Sequence, residues 1–133
     1  MDFIKEFIEN DKFAKSVGIE LLEVSLGYAK AKMEIKEIHH NSINTVHGGA
    51  IFTLADFTFA VAANSHNKMS VALNVNISFL KAISEGVLIA EAQEISVNPK
   101  IATYKILVSN DLGELIATFE GMAYRKERSL VKE

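Results

Sequence analysis

The stretch that decides the fold is His47–Asn64, which reads HGGAIFTLADFTFAVAAN. From residue 50 to residue 63 every side chain is apolar except those of Thr53, Asp56 and Thr58. A helix that is apolar on all sides must be buried on all sides. The run is shorter than a membrane span and carries a carboxylate, which argues against a transmembrane helix. We therefore predict a central helix over about residues 47–64, with a sheet wrapped around one side of it. The other side still needs cover, which a second copy of the chain could provide.

The segments on either side of this helix predict strands. Ala29, Ala31, Met33 and Ile35 alternate with charged residues, which is the period of a half-buried strand. Apolar residues at helical spacing over residues 3–16 predict a short amphipathic helix at the N-terminus. The predicted fold class is α+β, with five or six antiparallel strands wrapped around the central helix in a single domain over residues 1–133. The predicted strands are 19–25, 28–38, 69–80, 86–97, 101–109 and 114–124.

Composition narrows the range of functions. The chain of 133 residues has 49% apolar and 23% charged residues, which is ordinary for a globular protein. It contains no cysteine, which excludes disulfides, a thiol nucleophile and thiolate metal sites. The net charge of −3 argues against nucleic-acid binding, and the charged first residues lack the apolar run of a signal peptide. We expect a cytoplasmic protein with no nucleic-acid or membrane partner, and the spacing of its four histidines predicts no metal site.

Asp56 is the residue that the fold does not explain. It lies in the middle of the apolar helix, where aspartate is a poor helix former and a lone buried carboxylate is costly. A carboxylate kept in such a place is a candidate for catalysis, because burial perturbs its protonation. The alternative, which Asp56 alone leaves open, is a structural carboxylate at a loop or at a wet interface.

His47, Gly48 and Gly49 form the second candidate feature. The first turn of a helix has free N–H groups at the positive end of its dipole. Without side chains at Gly48 and Gly49, a substrate carbonyl could approach these N–H groups, as in an oxyanion hole; plain helix initiation is the alternative. Eight residues of helix separate Gly48 from Asp56 by about 12 Å, too far for both to act on one carbonyl. If the two features cooperate, they come from different copies of the chain, and the protein is a homo-oligomer.

These residues form a motif that resembles a known family. The pattern Asn41-x5-His47-Gly48-Gly49-x2-Phe52-x-Leu54-Ala55-Asp56-x2-Phe59-Ala60 is similar to the signature of hot-dog fold thioesterases of the phenylacetate-pathway (PaaI) type. The resemblance covers roughly residues 10–125. It implies a hot-dog fold, hydrolysis of an acyl-CoA thioester without any further cofactor, and a dimer or dimer of dimers.

The resemblance also implies a role for each matching residue. Asp56 matches the carboxylate that attacks the thioester or activates water, and Gly48 matches the N–H that polarises the carbonyl. Asn41 matches a polar group that holds the substrate or water, and His47 matches a residue that supports the loop. The residues expected to contact the substrate are Gly49, Phe59, Asn74, Lys81 and Lys100. The candidate contacts to the phosphates of coenzyme A are Lys81, Lys100 and Arg125, which fall at strand ends or turns, and an ordinary solvated charge is the alternative for each.

Two positions depart from the pattern. Ala72 occupies the place where some relatives carry a serine that positions water, which leaves that part of the mechanism unassigned. Asn44 replaces a glycine that many members have, and asparagine tolerates the left-handed backbone that such a position needs.

Two rival functions remain from the sequence. The first is a non-catalytic acyl-CoA-binding protein on the same fold, and the second is a dehydratase acting on hydroxyacyl thioesters, which pairs a histidine with a carboxylate. The acyl group, aryl or medium-chain, is not determined by the sequence. Dimer versus tetramer, and a covalent versus a general-base course, also stay open.

Overall fold

The computed structural model describes residues 1–131. Two short helices precede the sheet, and one long helix lies between the second and third strands. A 3₁₀ turn, Glu37–His39, follows the second strand. The helices are α1 (Asp2–Glu9), α2 (Lys12–Ser16) and α3 (Gly48–Asn64), and the strands are β1 (Ile19–Ser25), β2 (Tyr28–Glu34), β3 (Ser70–Phe79), β4 (Val87–Val97), β5 (Ile101–Asn110) and β6 (Leu115–Arg125).

The six strands form one antiparallel sheet in the order β1-β2-β4-β5-β6-β3. β1 and β3 are therefore the edges. Helix α3 connects β2, which lies next to one edge, to β3, which forms the other edge. It must cross the inner face of the sheet on the way, and this confirms the predicted sheet wrapped around a central helix.

Small residues on the inner face of the sheet let the helix approach. Ala31 on β2, Ala90 on β4 and Ala117 on β6 are fully buried. Gly121 lies directly beneath Phe59, and a Cβ built on this glycine would meet three ring carbons at 2.8–2.9 Å. The central helix can therefore lie close to the sheet because the residues beneath it have almost no side chain.

The strand predicted over residues 28–38 is too long. β2 ends at Glu34, because the Lys36 N–H donates to Nδ1 of His39 (2.9 Å) instead of to a neighbouring strand. The predicted N-terminal helix is confirmed but is broken in two at Asn10. Asp11 caps the second piece by accepting a hydrogen bond from the Ala14 N–H (3.0 Å), and aspartate is a preferred residue for that position.

Edge strand β3 leaves apolar side chains exposed. Leu73 and Phe79 each remain 54% exposed, and Val71 is 42% exposed. An uncovered edge strand of this kind is a surface that other chains can pair with. No helix within residues 1–131 is long and apolar enough to cross a membrane.

Candidate active site

The first turn of α3 carries one backbone N–H that the fold does not use. His47 is the N-cap; its Nδ1 accepts from the Gly49 N–H (2.8 Å), and its carbonyl accepts from Ala50 and Ile51. Of the hydrogen bonds formed by residues 1–131, none involves the Gly48 N–H. The helix start therefore offers a single donor, at Gly48, at the positive end of the dipole. The Gly49 N–H, expected from the sequence to face the substrate, is already bonded to His47.

His39 holds this helix start in place. Its buried ring donates from Nε2 to the Val17 carbonyl (2.7 Å) and accepts the Lys36 N–H at Nδ1. Its own carbonyl accepts the His47 N–H (2.7 Å). Both ring nitrogens and the carbonyl are thus used by the backbone. His39 fixes the end of β2, the end of α2 and the start of α3 relative to one another.

A cleft opens beside Gly48. It has a volume of about 360 Å³ and is walled mainly by apolar groups. The ring of Phe79 closes one side, and it lies 3.2 Å from the point where a Gly48 Cβ would stand. A substituent bound here would lie next to the free N–H. The lining residues are Thr45, Val46, Gly48, Ile51, Phe79, Leu80, Lys81 and Ala82.

Asn41 organises the loop that precedes the helix. Its Oδ1 accepts from the N–H groups of Ile43 and Thr45 (3.1 Å each), and its Nδ2 donates to Thr45 Oγ1 (2.9 Å). Asn44, at the tip of this loop, has φ 62°, which confirms the left-handed backbone that the sequence required there. The Asn41 oxygen is thus taken up by the loop, while one hydrogen of its amide remains for another partner.

Asp56 lies on the one stripe of α3 that the sheet does not cover. The half-buried or exposed positions Gly49, Phe52, Thr53, Asp56 and Ala60 recur at helical spacing along this stripe. The Asp56 carboxylate makes no hydrogen bond or ion pair within residues 1–131, and neither of its oxygens is fully enclosed. It is therefore both unpaired and accessible.

The surroundings of Asp56 favour its protonated form. Burial raises the pKa of Asp56 above its ordinary 3.8, and the nearby negative charge of Asp11 raises it further. Asp11 lies at the start of α2, which packs against α3. Asp11 was not among the residues predicted from the sequence to act at the site, although aspartate just before a helical segment is a cap signal.

The remaining residues expected to bind substrate are spread over the chain. Phe59 is 2% exposed and packs against Tyr104 and Phe119 with ring centroids 5.6 and 5.8 Å apart, so a substrate could reach it only if the core opened. Asn74 pairs with Met122 and points to the outer face of the sheet. Ala72, by contrast, pairs with the buried Ala123 and faces α3.

The two lysines expected to contact phosphates lie at opposite ends of the sheet. The Lys81 N–H donates to the Ile116 carbonyl at one end of β6, and Lys81 Nζ binds Glu114. The Lys100 carbonyl accepts the Arg125 N–H at the other end of β6 (2.7 Å). Ten residue steps of strand separate these ends, about 33 Å. Within one chain, the two lysines cannot bind the same phosphate group.

Comparison with known proteins identifies the family. Residues 43–117, from the loop before α3 to the start of β6, match the profile described as Thioesterase superfamily. A protein of Archaeoglobus fulgidus named as a putative esterase is 44% identical over 92% of this chain and 80% of its own length. The chain belongs to the thioesterase superfamily. The matched segment includes the unused Gly48 N–H, the Asp56 stripe and the cleft.

Two further likenesses connect this thioesterase-superfamily chain to the PaaI type. The acyl-coenzyme A thioesterase PaaI of Escherichia coli is 34% identical over 88% of the chain and 84% of the relative. The structure of the E. coli PaaI protein from the phenylacetic acid degradation operon superposes with a TM-score of 0.93 at 30% identity, covering 96% of this chain and 94% of that one. The resemblance to PaaI-type hot-dog thioesterases is therefore confirmed in sequence and in fold.

Proposed function

We propose that this protein hydrolyses acyl-CoA thioesters to a carboxylic acid and coenzyme A, at sites shared between two copies of the chain. The observation that carries the proposal is the pair formed by the unused Gly48 N–H and the unpaired Asp56 carboxylate on one helix. A donor for a developing oxyanion and a carboxylate that acts as nucleophile or base are together sufficient groups for thioester hydrolysis. The E. coli relative named as an acyl-coenzyme A thioesterase supports the same reaction class.

The spacing along α3 supports a shared site. Gly48 and Asp56 lie about 12 Å apart on one rigid helix, whereas reacting atoms must come within about 3.5 Å. Two α3 helices side by side and antiparallel would bring Gly48 of one copy to Asp56 of the other. The uncovered stripe of α3 and the exposed apolar edge strand β3 lie where such a copy would bind.

The proposed reaction begins with the thioester carbonyl oxygen accepting a hydrogen bond from the Gly48 N–H. Asp56 of the partner subunit then either attacks the carbonyl carbon or takes a proton from an attacking water. In the first course the carbon–sulfur bond breaks as an anhydride of Asp56 and the acyl group forms, and water then hydrolyses this anhydride to the free acid and restores the carboxylate. In the second course the hydroxyl of water adds to the carbonyl carbon, and the carbon–sulfur bond then breaks. In both courses the proton released by water passes to the sulfur, and coenzyme A leaves as the thiol. His47 and Asn41 hold the loop and the helix start so that the N–H keeps its direction, and no prosthetic group takes part.

The cleft beside Gly48 suits an aryl or medium-chain acyl group. Its walls at Val46, Ile51, Phe79 and Leu80 are apolar, and its volume of about 360 Å³ is in the range of small-molecule pockets. An acyl chain in this cleft would place its carbonyl at the Gly48 N–H. We therefore propose aryl- and medium-chain acyl-CoA as the substrate class.

A second apolar surface supports a dimer of dimers. On the outer face of the sheet, Ile95 is 60% exposed and Leu107 and Leu115 are each 42% exposed. They line a common depression together with Tyr28. Pairing of two such faces would bury this surface without touching α3 or the cleft, so the active sites would stay open in a tetramer.

The test is thiol release from a panel of aryl- and alkyl-CoA thioesters by the wild type and by Asp56→Asn. Asp2→Asn, on the exposed first turn of α1, is the matched control. We expect activity in the wild type and the control, and a loss of at least about a hundredfold in Asp56→Asn, equivalent to about 2.7 kcal/mol. Full activity in Asp56→Asn would refute the assignment. Acyl-CoA binding without thiol release by the wild type would instead favour the non-catalytic binding protein.

A further inference from the structure

Five cationic residues gather at the end of the sheet opposite to Gly48. Three backbone hydrogen bonds hold their segments together: Arg125 N–H to the Lys100 carbonyl (2.7 Å), Lys126 N–H to the Met69 carbonyl (2.8 Å) and Met69 N–H to the Arg128 carbonyl (3.0 Å). These are the start of β3, the β4–β5 turn and the end of β6. We call this cluster the basic end; its members are Lys68, Lys100, Arg125, Lys126 and Arg128.

The basic end has an excess of positive charge that the described chain does not neutralise. Within residues 1–131, none of its five side chains forms a salt bridge. The three segments contain one carboxylate, the exposed Glu127. The Arg125 guanidinium donates to the Asn98 carbonyl (2.8 Å), and its Nε is buried with no partner among the described residues. In a chain whose net charge is −3, this concentration of cations fits a polyanionic ligand.

The direction of α3 relative to β3 locates the basic end with respect to the proposed active site. The Asn64 side chain bonds to the Ser70 backbone (2.9 Å to its N–H), and Gly48 packs against Phe79, so helix and strand run antiparallel. Gly48 and the basic end of one copy are therefore at opposite ends. When two α3 helices lie antiparallel, however, the basic end of one copy comes to the same side as Gly48 of the other.

We infer that the basic end binds the phosphates of the acyl-CoA substrate, and that it belongs to the copy that supplies Asp56 and not to the copy that supplies Gly48. Coenzyme A carries a phosphomonoester and a diphosphate, joined to the thioester by a long flexible arm. In this arrangement the substrate runs from the Gly48 N–H of one copy, past Asp56 of the partner subunit, to the basic end of that same partner. This inference rests on the proposed function. It adds Lys68, Lys126 and Arg128 to the candidate phosphate contacts and assigns all five residues to one copy of the chain.

The first experiment removes two exposed charges, with Lys100→Gln and Arg128→Gln combined in one chain. Arg125 is left intact because it also holds the Asn98 turn. We expect KM for acyl-CoA to rise at least tenfold, while kcat changes little and KM for the same acyl group on N-acetylcysteamine, which lacks phosphates, is unchanged. Raising the salt concentration should increase KM for acyl-CoA in the wild type and much less in the variant. Equal KM values for acyl-CoA in the variant and the wild type would overturn the inference.

The matched control removes the same charge elsewhere, with Lys5→Gln and Lys15→Gln on α1 and α2, both exposed. It should leave KM for acyl-CoA unchanged. Titration calorimetry with coenzyme A itself separates this inference from the reaction. Weaker binding by the Lys100→Gln, Arg128→Gln variant supports the basic end even if no thioester is hydrolysed, and unchanged binding overturns it even if hydrolysis is confirmed.

Mixed dimers test which copy contributes the basic end. One chain carries Asp56→Asn, the other carries Lys100→Gln and Arg128→Gln, and the mixed species is isolated with two different tags. If Asp56 and the basic end act from the same copy, the only active site in this dimer lacks the two charges, and all of its activity has the raised KM. Activity with the wild-type KM would show that the basic end acts together with Gly48 of its own chain.

Discussion

Replacing Gly48 with proline would remove the proposed oxyanion donor with almost no effect on the fold. Gly48 is the first residue of α3, the one helix position where proline is favoured, because its N–H has no partner inside the helix. The preceding residue, His47, has φ −59° and ψ 134°, which is the backbone region that a residue before proline adopts. The new ring would meet Phe79, whose Cζ lies 3.2 Å from the Cβ position, but Phe79 is 54% exposed and can move.

The expected loss of activity follows from the single donor at this helix start. Loss of one oxyanion-hole donor costs about 2.7–4 kcal/mol, or roughly 10²–10³ in kcat. We expect Gly48→Pro to lose that much activity, since the Gly49 N–H is bonded to His47 and cannot replace it. The free energy of unfolding should stay the same or rise by up to about 1 kcal/mol, because proline restricts the unfolded chain.

Gly48→Ala is the control that separates the N–H from the added bulk. Alanine brings the same Cβ toward Phe79 but keeps the N–H. Steady-state kinetics with one acyl-CoA substrate, together with urea unfolding at a fixed protein concentration, compares the three proteins. If Gly48→Ala loses as much activity as Gly48→Pro, the loss is steric and the N–H is not the donor. If Gly48→Pro stays fully active, the proposed site is wrong.

Three further outcomes follow from the structure. Burial raises the pKa of Asp56, so its ionised form destabilises the fold at pH 7. The Asp56→Asn variant should therefore unfold at a higher urea concentration than the wild type at pH 7. This difference should shrink as the pH falls toward 3.8, because the carboxylate of the folded wild type becomes protonated. Asp11→Asn keeps the helix cap but removes a charge that raises the pKa of Asp56, so the acid limb of the kcat/KM profile should move to lower pH. Gly121→Ala places a Cβ at 2.8–2.9 Å from the buried Phe59 ring. It should lower the free energy of unfolding by about 1–3 kcal/mol, measured by urea unfolding. An unchanged unfolding midpoint would mean that the ring has room to move.

Local patterns in the sequence were enough to predict the elements of this fold. The central helix was predictable because it is apolar on every face, and β2 because its residues alternate with period two. The end of β2 was not predictable, because it depends on His39 bonding to Val17, a residue 22 positions earlier. The strand order, with β3 beside β6 and not beside β2, also depends on contacts between residues far apart in the sequence.

The candidate site was predictable in its main groups and not in its details. The sequence singles out Gly48 and Asp56 because glycine at a helix start and a carboxylate in an apolar helix are both unusual. The sequence could not show that the His47 ring accepts the hydrogen bond of the Gly49 N–H, since histidine is not a typical cap residue. Nor could it show the irregular register between Ala72 and Asn74, which turns the first toward α3 and the second to the outer face.

The rigidity of α3 is the reason why the proposed chemistry requires a second copy of the chain. A flexible loop could bring a carboxylate to an oxyanion donor within one chain, but Gly48 and Asp56 are fixed on the same helix, and no bending of a buried helix closes about 12 Å. The sheet and the two N-terminal helices pack against the other faces of α3 and leave the Asp56 stripe open. An unpaired carboxylate on that stripe weakens the isolated chain, because burial penalises its charge. In the proposed dimer this carboxylate has a use, because the stripe would face the helix start of another copy and the raised pKa would make the carboxylate a better base.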